Sequence, residues 1–177
     1  YILGIQSYAN HDAAACVLKF DRKGTVLEYI SMTEDRLLRK KHTYAFPVNS
    51  IMYCLNYFNL KSLNDIDHIF SDWIKEKKWL RSGPSYNYQE FDYIKENLKF
   101  NKKKIHQIDH HLAHAATAYY PSGFNNASIL IADGLGSDGE TQSYFVGKKN
   151  KIKLLKRKRN RGIGAAYAAV TEEILNM

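Results

Sequence analysis

The sequence predicts an α/β fold that opens with a β-meander, and three observations carry that reading. Apolar segments at 2–5, 13–20 and 25–31 are separated by turn-forming residues, so the chain begins strand, turn, strand, turn, strand. Residues 48–58 instead place Val48, Ile51, Met52, Leu55 and Phe58 at helical spacing. Residues 127–132 then form a short apolar run, bounded by turn residues, that stops at Asp133. At 177 residues the chain has room for one buried core, or one domain with an extra lobe.

Taken in order, strand 2–5 leads to a polar turn at 6–10 and to His11-Asp12 at the mouth of the second strand. Asp21-Arg22-Lys23-Gly24 is a turn, and residues 25–31 (TVLEYIS) alternate as a half-buried strand does. The charged run EDRLLRKKH at 34–42 reads first as a solvated face, with Arg36 or Arg39 pairing Glu34 and Asp35. Pro47 suits the first turn of the helix that follows. Residues 66–73 read as a strand on which His68 is structural. Residues 74–100 are polar and aromatic, with a break at Gly83-Pro84 and a helix over 88–98; no site residue is assigned there.

The chemistry concentrates in 105–142. A short apolar segment, 105–108, delivers Asp109, His110, His111 and His114, and the alanine-rich run to Tyr120 favours helix because alanine loses no side-chain entropy there. Side chains four apart share a helix face, so His110 and His114 point the same way and His111 elsewhere. The run 127–132 reads as a buried strand, and GLGSDG at 134–139 as a tight turn whose backbone can approach a ligand. Two imidazoles and a strand-end carboxylate suit a divalent transition metal, the alternative being surface histidines beside an ordinary turn acid. Asp109 or a loop carbonyl could accept the second N–H of a ligand imidazole.

Beyond that stretch, residues 142–147 continue as a strand, turn at 148–150 and return through 151–156, before a helical run at 165–177. The net charge of +8 is local: nine basic residues and no acid fall in 148–161, leaving 17 basic against 18 acidic groups elsewhere. Such a stretch serves a solvated hairpin edge or an anion surface, and its lack of aromatics argues against nucleic acid. No apolar run approaches the roughly 20 residues of a membrane helix, and no signal peptide is visible. Cys16 and Cys54, without CxxC spacing, read as buried and reduced in a cytoplasmic protein. Tyr1 and Met177 make both ends look cut, as in a fragment of a longer protein.

HDAAA at 11–15, EDRLLRKKH at 34–42, DHHLAHAATAYYPSGF from 109, ILIADGLGSDGETQS from 129 and the helix from Gly162 together resemble the ATP-dependent O-carbamoyltransferases of the nodulation and cephem-antibiotic type. The resemblance covers most of the chain apart from about 74–100. It implies the actin-like ATPase (ribonuclease H-like) superfamily, built from two duplicated halves, with a mixed sheet and flanking helices. On this reading residues 1–177 are the N-terminal part, the second half is absent, and 74–100 is an irregular insert. The first three strands would share one sheet with 127–132, and separate sheets would sink the actin-like reading.

The same resemblance implies a site. His110, His114 and Asp133 would bind a divalent metal, iron by the resemblance with zinc or manganese as alternatives. Lys41 and His11 would act on carbamoyl phosphate, with Asp12, Arg36 and Arg39 as substrate-binding residues, because a small dianion asks for Lys and Arg donors. Gly134, Gly136, Asp138 and Gly139 would meet ATP. Carbamoyl phosphate would be hydrolysed to carbamate, carbamate converted with ATP to carbamoyl-adenylate, and the carbamoyl group passed to an acceptor hydroxyl on a small molecule. The rivals are a related enzyme acting on transfer RNA or in hydrogenase maturation, and a non-enzymatic anion or nucleic-acid binder using 148–161.

Overall fold

The computed structural model describes residues 1–6, 13–41, 46–71, 105–134, 136, 139–159 and 162–175. They fall in two compact units, residues 1–107 and 108–177.

In the first unit, β1 (Ile2–Gln6), β2 (Ala14–Phe20) and β3 (Val26–Thr33) form the expected meander. The turn between β2 and β3 is closed by Asp21, whose Oδ1 accepts the Lys23 and Thr25 amides, each at 2.8 Å. β4 (His68–Ser71) and β5 (Ile105–Gln107) add in parallel on the other side of β1, giving a mixed sheet of order β3-β2-β1-β4-β5. The helix α2 (Val48–Tyr57) packs on β2 and β3. Leu3, Ile5, Ala15, Val17 and Ile69 from the sheet meet Ile51, Cys54, Leu55, Leu63 and Ile66 in one core. Each Leu or Ile buried there is worth about 1.5–3 kcal/mol.

Two expectations about this unit change. Ile51, Cys54 and Leu55 face the core, but Met52 is 46% exposed, because the sheet accepts a stripe centred one residue further round α2. β3 is an edge strand, so its first residues, Val26, Leu27 and Tyr29, are exposed rather than alternately buried. The charged run also divides: α1 (Glu34–Leu38) begins it, and Glu34 is 1% exposed. Its carboxylate accepts from the Asn49 and Ser50 amides and side chains in the first turn of α2, so it pairs with neither Arg36 nor Arg39.

The second unit starts with α3 (His110–Tyr119), followed by β6 (Asn126–Ala132), β7 (Gln142–Lys148) and β8 (Lys151–Lys158). These strands are a second antiparallel meander, β6-β7-β8, in a separate sheet. The expectation that 127–132 joins the first three strands is therefore wrong. β4 occupies the second edge of β1, while β6 gives all seven of its residues to β7, from Asn126↔Lys148 to Ala132↔Gln142. What fails is the single shared sheet: β1 and β6 lie in separate sheets. Nor is β6 buried on both faces: Ile129 and Ile131 point into the unit and Leu130 is 55% exposed.

Ala115, Tyr119, Ile129, Ile131 and Phe145 form the core of this unit. The Tyr119 hydroxyl reaches the carbonyls of Asn125 and Lys149, both at 3.0 Å, so the end of α3 is tied to the two chain segments that meet at the Asn126↔Lys148 end of the β6–β7 ladder. The helical run at the C-terminus is α4 (Ile163–Ala169) and a π-helical segment, Val170–Ile174. Among the described residues, no helix is long and apolar enough to cross a membrane.

Candidate metal centre

Asp109 starts the site by ending the chain's extended run. Its extended backbone and its side-chain bond to the Leu112 amide, 2.8 Å, cap α3. Its other oxygen pairs with Arg157 Nη2 of β8 at 2.6 Å. Asp109 is thus a cap and an ion-pair partner, and its oxygens are not those that a ligand imidazole uses. Arg157 is correspondingly withdrawn from the exposed basic face of β8, 14% exposed against Asp109.

With α3 seated by Ala115 and Tyr119 against the sheet, His111 falls on the same buried line, four residues before Ala115. His110 and His114 lie beside that line on a less buried face, 16% and 50% exposed. Asp133 follows the last residue of β6, its amide held by the Thr141 carbonyl at 2.9 Å, and its Oδ1 accepts the Gly134 amide at 2.6 Å. That leaves Oδ2 for the helix. His110 Nε2 lies 2.9 Å from it, His114 Nε2 3.6 Å, and the two imidazole nitrogens are 3.0 Å apart.

This triangle fits an ion. One proton cannot serve three contacts among two ring nitrogens and a carboxylate oxygen, whereas one cation can. The three donor atoms are the one such group among the described residues, all within 4.8 Å of one another. These separations put a point about 1.9 Å from each atom, so bonds of about 2.0–2.2 Å to nitrogen and oxygen are reached just off their plane. Burial alone pushes the Asp133 carboxyl up, but the His110 hydrogen bond, the Gly134 amide and the fields of His110 and His114 outweigh it and hold it below the usual range.

His111 does not point elsewhere. It is fully buried, with Nδ1 on Ser143 Oγ at 2.7 Å and Nε2 3.7 Å from Asp133 Oδ2. One residue round the helix is a turn of about 100°, which moves His111 off the exposed face but only to the inner side of the same carboxylate. Burial holds its imidazole below the usual range, against the opposing pull of Glu140 and Asp133. The spacing rule that finds His110 and His114 has no term for this residue, and its partner Ser143 lies 32 residues away.

The glycine turn follows Asp133. Gly139 takes a left-handed φ of 76°, and the Gly136 amide donates to the Glu140 carbonyl at 2.7 Å. A Cβ at Gly136 would stand 2.5 Å from Cδ of the buried Glu140, so any larger residue there would have to displace that carboxylate. Gly134 is exposed to the Asp133 carboxylate through its amide; Asp138 lies outside the described residues, as do His11 and Asp12. Lys41, Arg36 and Arg39 belong to the first unit, where all three are exposed. Arg39 is in the left-handed region, φ 55°, and terminates α1. Residues 74–100 also lie outside the described set.

The family described as carbamoyltransferase N-terminus matches residues 80–175, more than half of the chain. The nodulation protein NolNO of Sinorhizobium fredii is 30% identical over 82% of this chain and 22% of its own length. An uncharacterized Synechocystis protein, sll1178, is 29% identical over 86% of this chain and 28% of its own. The chain thus spans less than a third of these curated relatives. Among solved structures, YeaZ from Pseudomonas aeruginosa aligns with a TM-score of 0.49 and 11% identity, over 88% of this chain and 63% of that one. A likeness that distant leaves the architecture to be judged on the strand order and pairing above.

Proposed function

Because the chain belongs to the carbamoyltransferase N-terminus family, we propose that it is the N-terminal part of an ATP-dependent O-carbamoyltransferase with a divalent-metal site at His110, His114 and Asp133. The observation that carries the reading is the Nε2, Nε2 and Oδ2 triangle of 3.0, 2.9 and 3.6 Å in a chain of this family.

Water attack on carbamoyl phosphate gives carbamate and phosphate. A carbamate oxygen then displaces pyrophosphate at the ATP α-phosphorus, and an acceptor hydroxyl takes the carbamoyl carbon with loss of AMP. A bound divalent ion would neutralise triphosphate oxygens. The chain's own residues do the rest. The exposed amine of Lys41, with Arg36 and Arg39, offers cations to the carbamoyl phosphate dianion. His11, with Lys41, and Asp12 are the remaining substrate residues of the proposal. The glycines of the Asp133–Gly139 stretch would let a nucleotide come close to the backbone. The metal is iron in the first instance, with zinc or manganese as the alternatives.

The test is pyrophosphate release by the full-length protein. Release from ATP that requires carbamoyl phosphate, accompanied by phosphate, is the expected result. Release that ignores carbamoyl phosphate would overturn the reaction.

A further inference from the structure

His111 is a fully buried polar side chain at the centre that the proposed chemistry does not use. It is also the least explained as a packing residue. A buried histidine that merely fills the core has both nitrogens satisfied. Here Nδ1 meets Ser143 Oγ at 2.7 Å, but Nε2 is buried without a hydrogen-bond partner. The polar atom it faces is Asp133 Oδ2, at 3.7 Å, the same oxygen that His110 and His114 approach.

It is not a third member of the imidazole pair. The rings of His110 and His114 have centroids 4.6 Å apart, whereas His111 stands 5.9 Å from the first and 6.3 Å from the second. His111 therefore addresses the carboxylate from behind, on the core side. A ring nitrogen lone pair aimed at a carboxylate would be repelled, so Nε2 must carry the proton, and Nδ1 is then the acceptor for the Ser143 hydroxyl. Ser143 is itself fully buried in β7, opposite Ile131 of β6, so the hydroxyl is fixed by the sheet that also fixes Asp133.

We propose that His111 is a positioning residue for Asp133. Ser143 sets its tautomer, and its Nε2–H holds the carboxylate in place for the ion that His110 and His114 share. In the structure Oδ2 is engaged by His110 at 2.9 Å. When the His110 nitrogen turns its lone pair to an ion that bond is lost, and about half an ångström of carboxylate movement brings Oδ2 within range of His111. The arrangement is an outer-shell support for a carboxylate ligand, supplied by an imidazole rather than to one. This rests on the metal reading above.

Two measurements on the full-length protein separate the two. The first is the 15N spectrum of histidine-labelled, metal-free protein. His111 is expected as the Nε2–H tautomer; an Nδ1–H tautomer overturns the positioning role whatever the metal does. The second is Zn2+ titration of wild type, His111→Leu, His111→Gln and Ser143→Ala, each checked for fold by circular dichroism. Expected is a roughly 10–100-fold loss of affinity in His111→Leu, a smaller loss in Ser143→Ala, and substantial recovery in His111→Gln, which restores an N–H near the Nε2 position. Wild-type affinity in a folded His111→Leu overturns the proposal. If His111→Leu does not fold, unchanged affinity in Ser143→Ala does so. No Zn2+ binding by wild type overturns the metal reading instead, and the tautomer then decides the positioning role alone.

Discussion

Glu34 and Ser50 are joined twice: the Ser50 amide, at 2.8 Å, and hydroxyl, at 2.7 Å, both donate to Oε2. Oε1 takes the Asn49 amide and side chain at 3.2 and 2.6 Å. A carboxylate from one helix thus closes the positive N-terminus of the next, which Pro47 at the cap position leaves without a side-chain acceptor of its own. Glu34→Ala removes a charge-assisted acceptor from four buried or half-buried donors and should cost about 2–4 kcal/mol. Urea unfolding with an unchanged m-value is the measurement. A loss below about 0.5 kcal/mol would return Glu34 to the role of an ordinary surface acid.

Lys41 tests the substrate side. Its exposure predicts that Lys41→Ala alters stability by no more than about 0.5 kcal/mol. If the proposed reaction holds, the same change in the full-length protein should abolish carbamoyl phosphate hydrolysis while ATP binding persists. Unchanged hydrolysis would leave Lys41 as part of a solvated face.

His114, half exposed, can be removed without opening the core. His114→Ala should therefore weaken metal binding, read by calorimetric titration with Zn2+, by more than the roughly 100-fold typical of losing an outer partner, while the thermal midpoint of the metal-free protein barely moves. Equal affinity in the variant would remove His114 from the ligand set.

Cys54 gives a prediction about folding. Burial, followed by the field of Cys16, pushes its thiol up to about 11, and its Sγ–H reaches the Ala15 and Ile30 carbonyls at 3.6 and 3.8 Å. The thiolate is the reactive form, so a thiol reagent at pH 8 should modify Cys54 only as fast as the first core opens. Immediate stoichiometric labelling of both cysteines in native protein would contradict the packing of α2 on the sheet.

Local pattern carried much of this molecule. The opening meander, α3 and the shared face of His110 and His114 follow from apolar alternation, alanine content and i, i+4 spacing. What local pattern missed was non-local. The parallel partner of β1 is β4, not β6, and nothing within either strand says so. EDRLLRKKH looks like a solvated face because Glu34 finds its partners 15 and 16 residues later. Arg157 looks like one more surface cation because Asp109 is 48 residues earlier. His111 was turned away by a rule about faces that treats a carboxylate as having only one side.

Tyr119 bears on the same imidazoles from a distance. It lies eight residues after His111 on the same buried line, about 12 Å along the helix axis, and its hydroxyl is tethered to two carbonyls. With Asp109 clamped at the other end, α3 is pinned against rotation at both extremities, like a key held by bow and tip. Imidazole azimuth is then set by a phenol remote from any ligand atom. Tyr119→Phe should show itself less as lost stability than as slack in the aim of His110 and His114, broadening their 15N resonances before the helix itself loosens.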